Sequence, residues 1–141
     1  LYCGVGGFAL AAARAGFPRV TGVEVSSGAI SSAISAARHA GLSRSAASFI
    51  ADDATAWARA QSPEDVPDVI VVNPPRRGIG ADLAAYLNEC DAPRVIYSSC
   101  NPASLAKDLA AMPTLRPIEG RLFDMFPYTT HAEVALLLER A

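Results

Sequence analysis

The chain has 141 residues, 51% of them hydrophobic and 18% charged, with a net charge of −2. One domain of roughly 100–200 residues fits that length, and a chain this apolar buries a core, which excludes a mostly disordered tail. No apolar run approaches the ~18–20 residues of a membrane span, the charge is not that of a domain gripping nucleic acid by itself, and three scattered cysteines argue against a disulfide framework or a metal cluster and suit a reducing cytoplasm.

In chain order, the first eight residues are a strand end running into a glycine turn and a helix. Residues 20–25 form a strand, and Ser26 is a good N-cap for the next helix. In that helix Ile30, Ala33, Ile34 and Ala37 share one face, and Gly41 ends it. Residues 45–51 are a weaker strand, and Asp53 caps a short helix that contains Trp57 and ends near Pro63. The apolar run Val69–Val72 between Pro67 and Pro74 has the pattern of a central parallel strand buried on both faces. A helix over residues 82–90 and a buried strand over residues 95–97 follow. The next helix takes Pro102 at its first position, runs through Leu105, Leu109 and Met112, and stops at Pro113. Strand signals then come close together over Leu115–Phe123 and residues 134–138, as in an antiparallel edge hairpin. The alternation predicts an α/β domain with a mostly parallel, doubly wound sheet and an antiparallel last strand. That ending is unusual for a dinucleotide-binding domain and resembles the Rossmann-like methyltransferase fold.

Glycines in Leu-Tyr-Cys-Gly-Val-Gly-Gly-Phe (residues 1–8) let the backbone turn tightly and approach a ligand. Glu24, at the end of the next strand, is placed to accept both ribose hydroxyls of an adenine nucleoside. Residues 4–9 also satisfy the GxGxxG/A dinucleotide fingerprint, with Glu24 twenty residues on. This segment alone leaves open a nicotinamide cofactor, another adenine nucleoside, or a bare turn. Tyr2 either lines a cofactor pocket or belongs to the core. Asp53 either meets an adenine amino group or only caps its helix.

Asn73-Pro74-Pro75-Arg76-Arg77-Gly78 follows the most buried strand, at the carboxyl edge where open α/β sheets bind ligands. Two prolines hold Asn73 in a rigid extended loop. Its amide both donates and accepts, which suits a neutral base edge or an amino acid group; the plain alternative is a proline turn. Arg76 and Arg77 either contact RNA phosphate or form a solvated pair. Tyr97-Ser98-Ser99-Cys100-Asn101-Pro102 sets a cysteine between a central strand and a helix N-terminus. The positive end of a helix favours an anion, and thiolate is the nucleophilic form of cysteine. A small buried thiol is the alternative, and it is the reading for Cys3 and Cys90. Glu133 opens the last strand, as either a general base or a solvated edge residue. His131 is its hydrogen-bonding neighbour, His39 is exposed, and Phe126 is either core or a stacking partner for a base.

These segments resemble the RNA uracil-5-methyltransferase family, which uses S-adenosylmethionine. The residues that carry the likeness are 1–8, Gly-Val-Glu at 22–24, Asn-Pro-Pro-Arg-Arg-Gly-Ile-Gly at 73–80, Tyr-Ser-Ser-Cys-Asn at 97–101, and Phe-Asp-Met-Phe-Pro at 123–127 leading to His-Ala-Glu at 131–133. They span nearly the whole chain, and Cys-Asn with the later His-x-Glu is the most specific pair. The Asn-Pro-Pro segment is closest to the RumB-like branch, which methylates 23S ribosomal RNA; other branches commonly carry Asp where this chain has Asn73. The resemblance implies that Cys100 is the nucleophile and Glu133 the base. It also implies that Tyr2, Gly4, Gly7, Glu24 and Asn73 lie on the cofactor side, where Gly6 and Asp53 complete the candidate set. It implies S-adenosylmethionine as cofactor and ribosomal RNA as partner, in a cytoplasmic monomer with no membrane contact. No metal is expected, because no metal-ligand cysteine spacing exists for the iron–sulfur cluster of many members. Residues 1–141 are expected to be the methyltransferase catalytic domain of a longer enzyme, lacking the start of the first strand and the upstream regions.

Rival readings explain fewer residues. An amino-group methyltransferase acting on adenine or glutamine wants an aromatic residue after the prolines, where Arg76 stands. A cytosine-5 enzyme wants a second cysteine near that loop. A nicotinamide-dependent dehydrogenase leaves Cys100, Glu133 and the closing hairpin without a role. An inert fragment that only binds cofactor is the reading without an enzyme.

Overall fold

The structure is a computed structural model that describes residues 1–125 and 127–141, so the reading of Phe126 lies outside the described residues. The chain divides into two compact units, Leu1–Trp57 and Ala58–Ala141.

The first unit contains α1 (Gly7–Arg14), β1 (Val20–Glu24), α2 (Ser27–His39), β2 (Ala47–Ala51) and most of α3 (Ala54–Arg59). β1 and β2 pair in parallel, from Val20 opposite Ala47 to Glu24 opposite Ala51. Ser26 caps α2 as predicted, its side chain accepting from Ala29 N at 3.3 Å. Ala9, Val23, Ile30, Ala33, Ala37 and Ala47 are buried. The small side chains have a reason. A Cβ on Gly22 would stand 2.7 Å from the Phe49 ring and 2.9 Å from Cys3 Sγ, so only glycine fits there.

The second unit holds a short 3-10 turn (Pro63–Asp65), β3 (Val69–Val72), α4 (Gly80–Glu89), β4 (Arg94–Ser99), α5 (Pro102–Ala110), β5 (Leu115–Phe123) and β6 (Glu133–Arg140). Its strand order is β3-β4-β6-β5. β3 and β4 are parallel, while β6 runs antiparallel to both β4 and β5. The closing antiparallel pair is thus the one the sequence predicts, with the last strand inside. Val134 to Leu138 is continuously apolar and tolerates a neighbour on each side. β5 carries Pro117, Gly120 and charged Arg116, Glu119 and Arg121, with a register shift between Pro117 and Glu119, which are edge-strand features.

Ile70, Val72, Val95, Tyr97 and Leu138 are buried, as are Leu83 and Leu87 of α4 and Leu105 of α5. Val69 and Val71 are only half-buried, so β3 alternates and is not covered equally on both faces. An apolar run reports hydrophobicity but not which face is covered. Two helix ends also differ. α4 begins at Gly80, two residues before the expected start at 82, and α3 stops at Arg59 because Pro63 opens a separate turn. Arg140 closes the unit. Its guanidinium donates to Leu87 O (2.9 Å) and Asn88 O (3.0 Å) at the end of α4 and to Ala92 O (3.1 Å) in the loop beyond it.

Candidate active site

In the first unit the glycine turn lies beside the carboxyl ends of β1 and β2. Cys3 N donates to Val23 O at 3.0 Å, which holds the turn against β1. Glu24 then ties two backbone segments together. Its Oε2 accepts from Gly4 N at 3.2 Å and its Oε1 from Ser26 N at 3.0 Å. A carboxylate has about four acceptor positions, so room remains for hydroxyls. The glycines divide their work. A Cβ on Gly6 would press the Phe49 ring at 3.0 Å, whereas one on Gly4 or Gly7 would meet nothing within 4 Å. The outer surface of the turn is therefore open to a ligand, and with Glu24 beside it the donor set fits an adenine nucleoside. Tyr2 is half-buried at φ +57°, a conformation that costs about 1–2 kcal/mol in a non-glycine residue.

Asp53 is a helix cap in this structure. Its Oδ1 accepts from Thr55 N and Ala56 N, both at 2.9 Å. Asp52 N donates to Glu24 O at 3.0 Å, so Asp53 still lies at the edge that carries Glu24. Burial pushes the Cys3 thiol above its ordinary range, and the Glu24 carboxylate adds to that rise. Cys3 is accordingly held as a neutral packing thiol. Cys90 closes α4, its Sγ 3.7 Å from Leu87 O.

The second unit gathers the remaining candidates at one end of its sheet. β3 and β4 are parallel with Val72 opposite Tyr97, so Asn73 and Cys100 both follow the carboxyl ends of their strands. β6 runs the other way and begins there with Glu133. The β4–β6 ladder ends with Ser99 opposite Val134, so Cys100 follows the last paired residue of β4 and Glu133 precedes that of β6. Ser98 is diagonal to Glu133 on the same face, and its Oγ donates to Glu133 Oε1 at 2.5 Å.

Both neighbours of Cys100 are fixed. Ser99 Oγ accepts from Asn101 N at 3.0 Å and donates to Asn101 O at 3.1 Å. Asn101 caps α5 by accepting from Ala103 N at 3.1 Å, while its Nδ2 donates to Arg76 O at 2.9 Å. The loop after β3 is thereby fastened to the start of α5. A second fastening comes from buried Asp108, whose Oδ2 accepts from Ile79 N at 2.9 Å and from Tyr97 Oη at 2.5 Å. Arg76 also reaches toward the loop before β6, its Nη1 donating to His131 Nδ1 at 3.5 Å. The Asn73 side chain has no hydrogen-bond partner among the described residues and remains available to a ligand.

Cys100, Glu133, Asn73 and His131 are thus brought together by one unit, and Glu24, Gly4, Gly7 and Asp53 by the other. Sequence reasoning missed Ser98, Asn101 as a bridge, and Asp108. Asp108 left a trace as an acid at helical spacing between Leu105 and Met112. Ser98 left none, because its partner lies 35 residues away. Among the described residues no cluster of three or more His, Cys, Asp or Glu is arranged to hold a metal, and no helix is long and apolar enough to cross a membrane.

Comparison with known proteins follows from this arrangement. Residues 64–141 match the family model described as tRNA (Uracil-5-)-methyltransferase. A 23S rRNA (uracil(747)-C(5))-methyltransferase, RlmC, of Pectobacterium atrosepticum is 45% identical over 141 residues, which is all of this chain and 36% of that protein. The protein of the same name from Shewanella amazonensis is 49% identical over 138 residues, 98% of this chain and 35% of its own length. The chain therefore spans a little over a third of the curated relatives it matches. The crystal structure of Pyrococcus abyssi tRNA (uracil-54, C5)-methyltransferase in complex with S-adenosyl-L-homocysteine superposes with a TM-score of 0.85 at 31% identity, covering 97% of this chain and 32% of that one. Magnesium protoporphyrin IX methyltransferase of Synechocystis with bound S-adenosylmethionine shares the fold alone, with a TM-score of 0.73 at 18% identity over 99% of this chain and 67% of that one.

Proposed function

The chain belongs to the tRNA (uracil-5-)-methyltransferase family, and from that premise we propose that the whole protein methylates carbon 5 of a uridine in 23S ribosomal RNA, at the position its relatives' names give as 747. We read residues 1–141 as its catalytic domain, working in the cytoplasm as a single copy. Cys100, Glu133 and Asn73 all come from one unit of one chain, which supports a monomer. The observation that supports the proposal best is the β4–β6 ladder, whose last pair, Ser99 and Val134, stands next in sequence to Cys100 and Glu133.

Carbon 5 of uracil is a poor nucleophile, and the chain's residues remedy that. The Cys100 thiolate adds to carbon 6, forming an S–C bond and moving the C5–C6 electron pair into an enolate. Carbon 5 then takes the methyl group. S-adenosylmethionine, when bound, supplies that methyl on an electrophilic sulfonium. Glu133 removes the proton from carbon 5; its electrons restore the C5–C6 double bond, and Cys100 leaves as thiolate. Covalent catalysis thus replaces one difficult substitution by easier steps, with a base for the last. The uridine must leave its stack to reach Cys100. Gly4, Gly7, Glu24 and Asp53 would hold the cofactor, together with Tyr2, while Gly6 supports the turn from below. Asn73 matches a further cofactor-side position of the family, where its free amide can donate and accept. The higher identity to the ribosomal RNA enzymes than to the tRNA enzyme favours ribosomal RNA.

Nucleoside mass spectrometry on RNA from cells lacking the gene tests the reading. The expected result is loss of 5-methyluridine at position 747 of 23S ribosomal RNA, restored by the wild-type gene. Loss at position 54 of tRNA, or of a methylated adenosine, would contradict it.

A further inference from the structure

We propose that Ser98 is a positioning residue for proton abstraction by Glu133, an inference that rests on the uracil-5 reading above. Glu133 is the first residue of β6, paired with Phe123 of β5 at the point where the loop between the two strands ends. Its side chain has three rotatable torsions, and a base serves only when aimed at its proton. Ser98 supplies the missing constraint. It lies inside β4, pairs through its backbone with Ala135, and is 2% exposed. Its single hydroxyl proton goes to Glu133 Oε1 at 2.5 Å. Glu133 Oε2 has no partner among the described residues, which leaves one oxygen held and one open. Ser98 lies inside β4 and Cys100 directly follows that strand's last residue, so the strand that leads into the nucleophile also aims the base.

The role is confined to one step. Attack by Cys100 and methyl transfer to carbon 5 need no base. Afterwards the C5–H bond must break, its proton pass to Glu133, its electrons form the C5–C6 double bond, and the C6–S bond break with Cys100 leaving as thiolate. A misaimed Glu133 stalls the protein with methylated RNA bound to Cys100.

The test uses the full-length protein with unmodified substrate RNA and labelled methyl donor, quenched in SDS. Ser98→Ala is expected to lower turnover about 10–100-fold, to form the covalent RNA adduct at the wild-type rate, and to accumulate it as a methylated, gel-shifted species. Ser98→Thr, which keeps the hydroxyl, is expected to release product faster than Ser98→Ala. Wild-type turnover by Ser98→Ala, or equal slowing of adduct formation and release, would overturn the proposal and leave Ser98 a structural latch. Cys100→Ala is run alongside. Methylation by that variant would refute the covalent reading itself, an outcome separate from any result with Ser98.

Discussion

Asp108 accepts hydrogen bonds from Ile79 N and Tyr97 Oη, while Gly78 passes beneath it at φ +88°. A Cβ on Gly78 would meet Asp108 Oδ2 at 2.3 Å, so glycine is required there by both conformation and space. Asp108→Ala would strand two donors, and at roughly 1–3 kcal/mol for each unsatisfied buried group it should cost about 2–6 kcal/mol. The midpoint of urea unfolding measures this, and Asp108→Asn, which keeps one acceptor, should lose less. Cys3 gives a second prediction. Burial raises its pKa, so it remains a thiol at neutral pH, and thiol is the unreactive form. Alkylation followed by peptide mass spectrometry should label Cys3 slowly at neutrality and faster only at pH above the ordinary thiol value near 8.5. Candidate residues were legible where residue type and local motif suffice, as for Cys100 and Glu133, which the structure sets at one end of one sheet. Asp108 and Ser98 were not, because their meaning lies in partners 29 and 35 residues away.

Punctuation made the elements legible. Ser26 and Asn101 cap α2 and α5, Pro102 opens α5, and proline or glycine separates most segments. What local pattern could not give was order within the sheet. β6 lies between β4 and β5 and pairs antiparallel with both, and that is a tertiary choice. The sequence also offered no reason for Arg140, a charge at a strand end. It donates to two carbonyls at the end of α4, to Ala92 O in the loop that follows, and to Thr114 Oγ1 at 3.0 Å, binding helix, loop and strand together. Arg140→Ala should therefore destabilise the protein by about 1.5–3 kcal/mol, the scale of one or two hydrogen bonds to a charged group. Thermal unfolding checks it. Arg94→Ala, which breaks an exposed pair with Glu139, should cost under about 1 kcal/mol and serves as the control.

For the whole molecule, the net charge of −2 changes its meaning once the family is known. These residues carry candidate cofactor and chemical sites, and the chain covers 36% of its relative from Pectobacterium atrosepticum. On the proposed function, RNA affinity in the full-length protein would draw on few charges from this region. Arg76 and Arg77, exposed beside Asn73, are the candidates. Replacing either by Ala should reduce the salt dependence of RNA binding by about one phosphate contact, and an unchanged slope would remove it from the interface. RNA carrying 5-fluorouridine tests the covalent role proposed for Cys100. Fluorine at carbon 5 leaves no proton for Glu133 to remove, so the adduct cannot resolve. Intact mass of the full-length protein should show RNA plus one methyl group attached to the wild type and no adduct with Cys100→Ala. A wild-type protein that forms no adduct, or a Cys100→Ala variant that still does, would contradict the account.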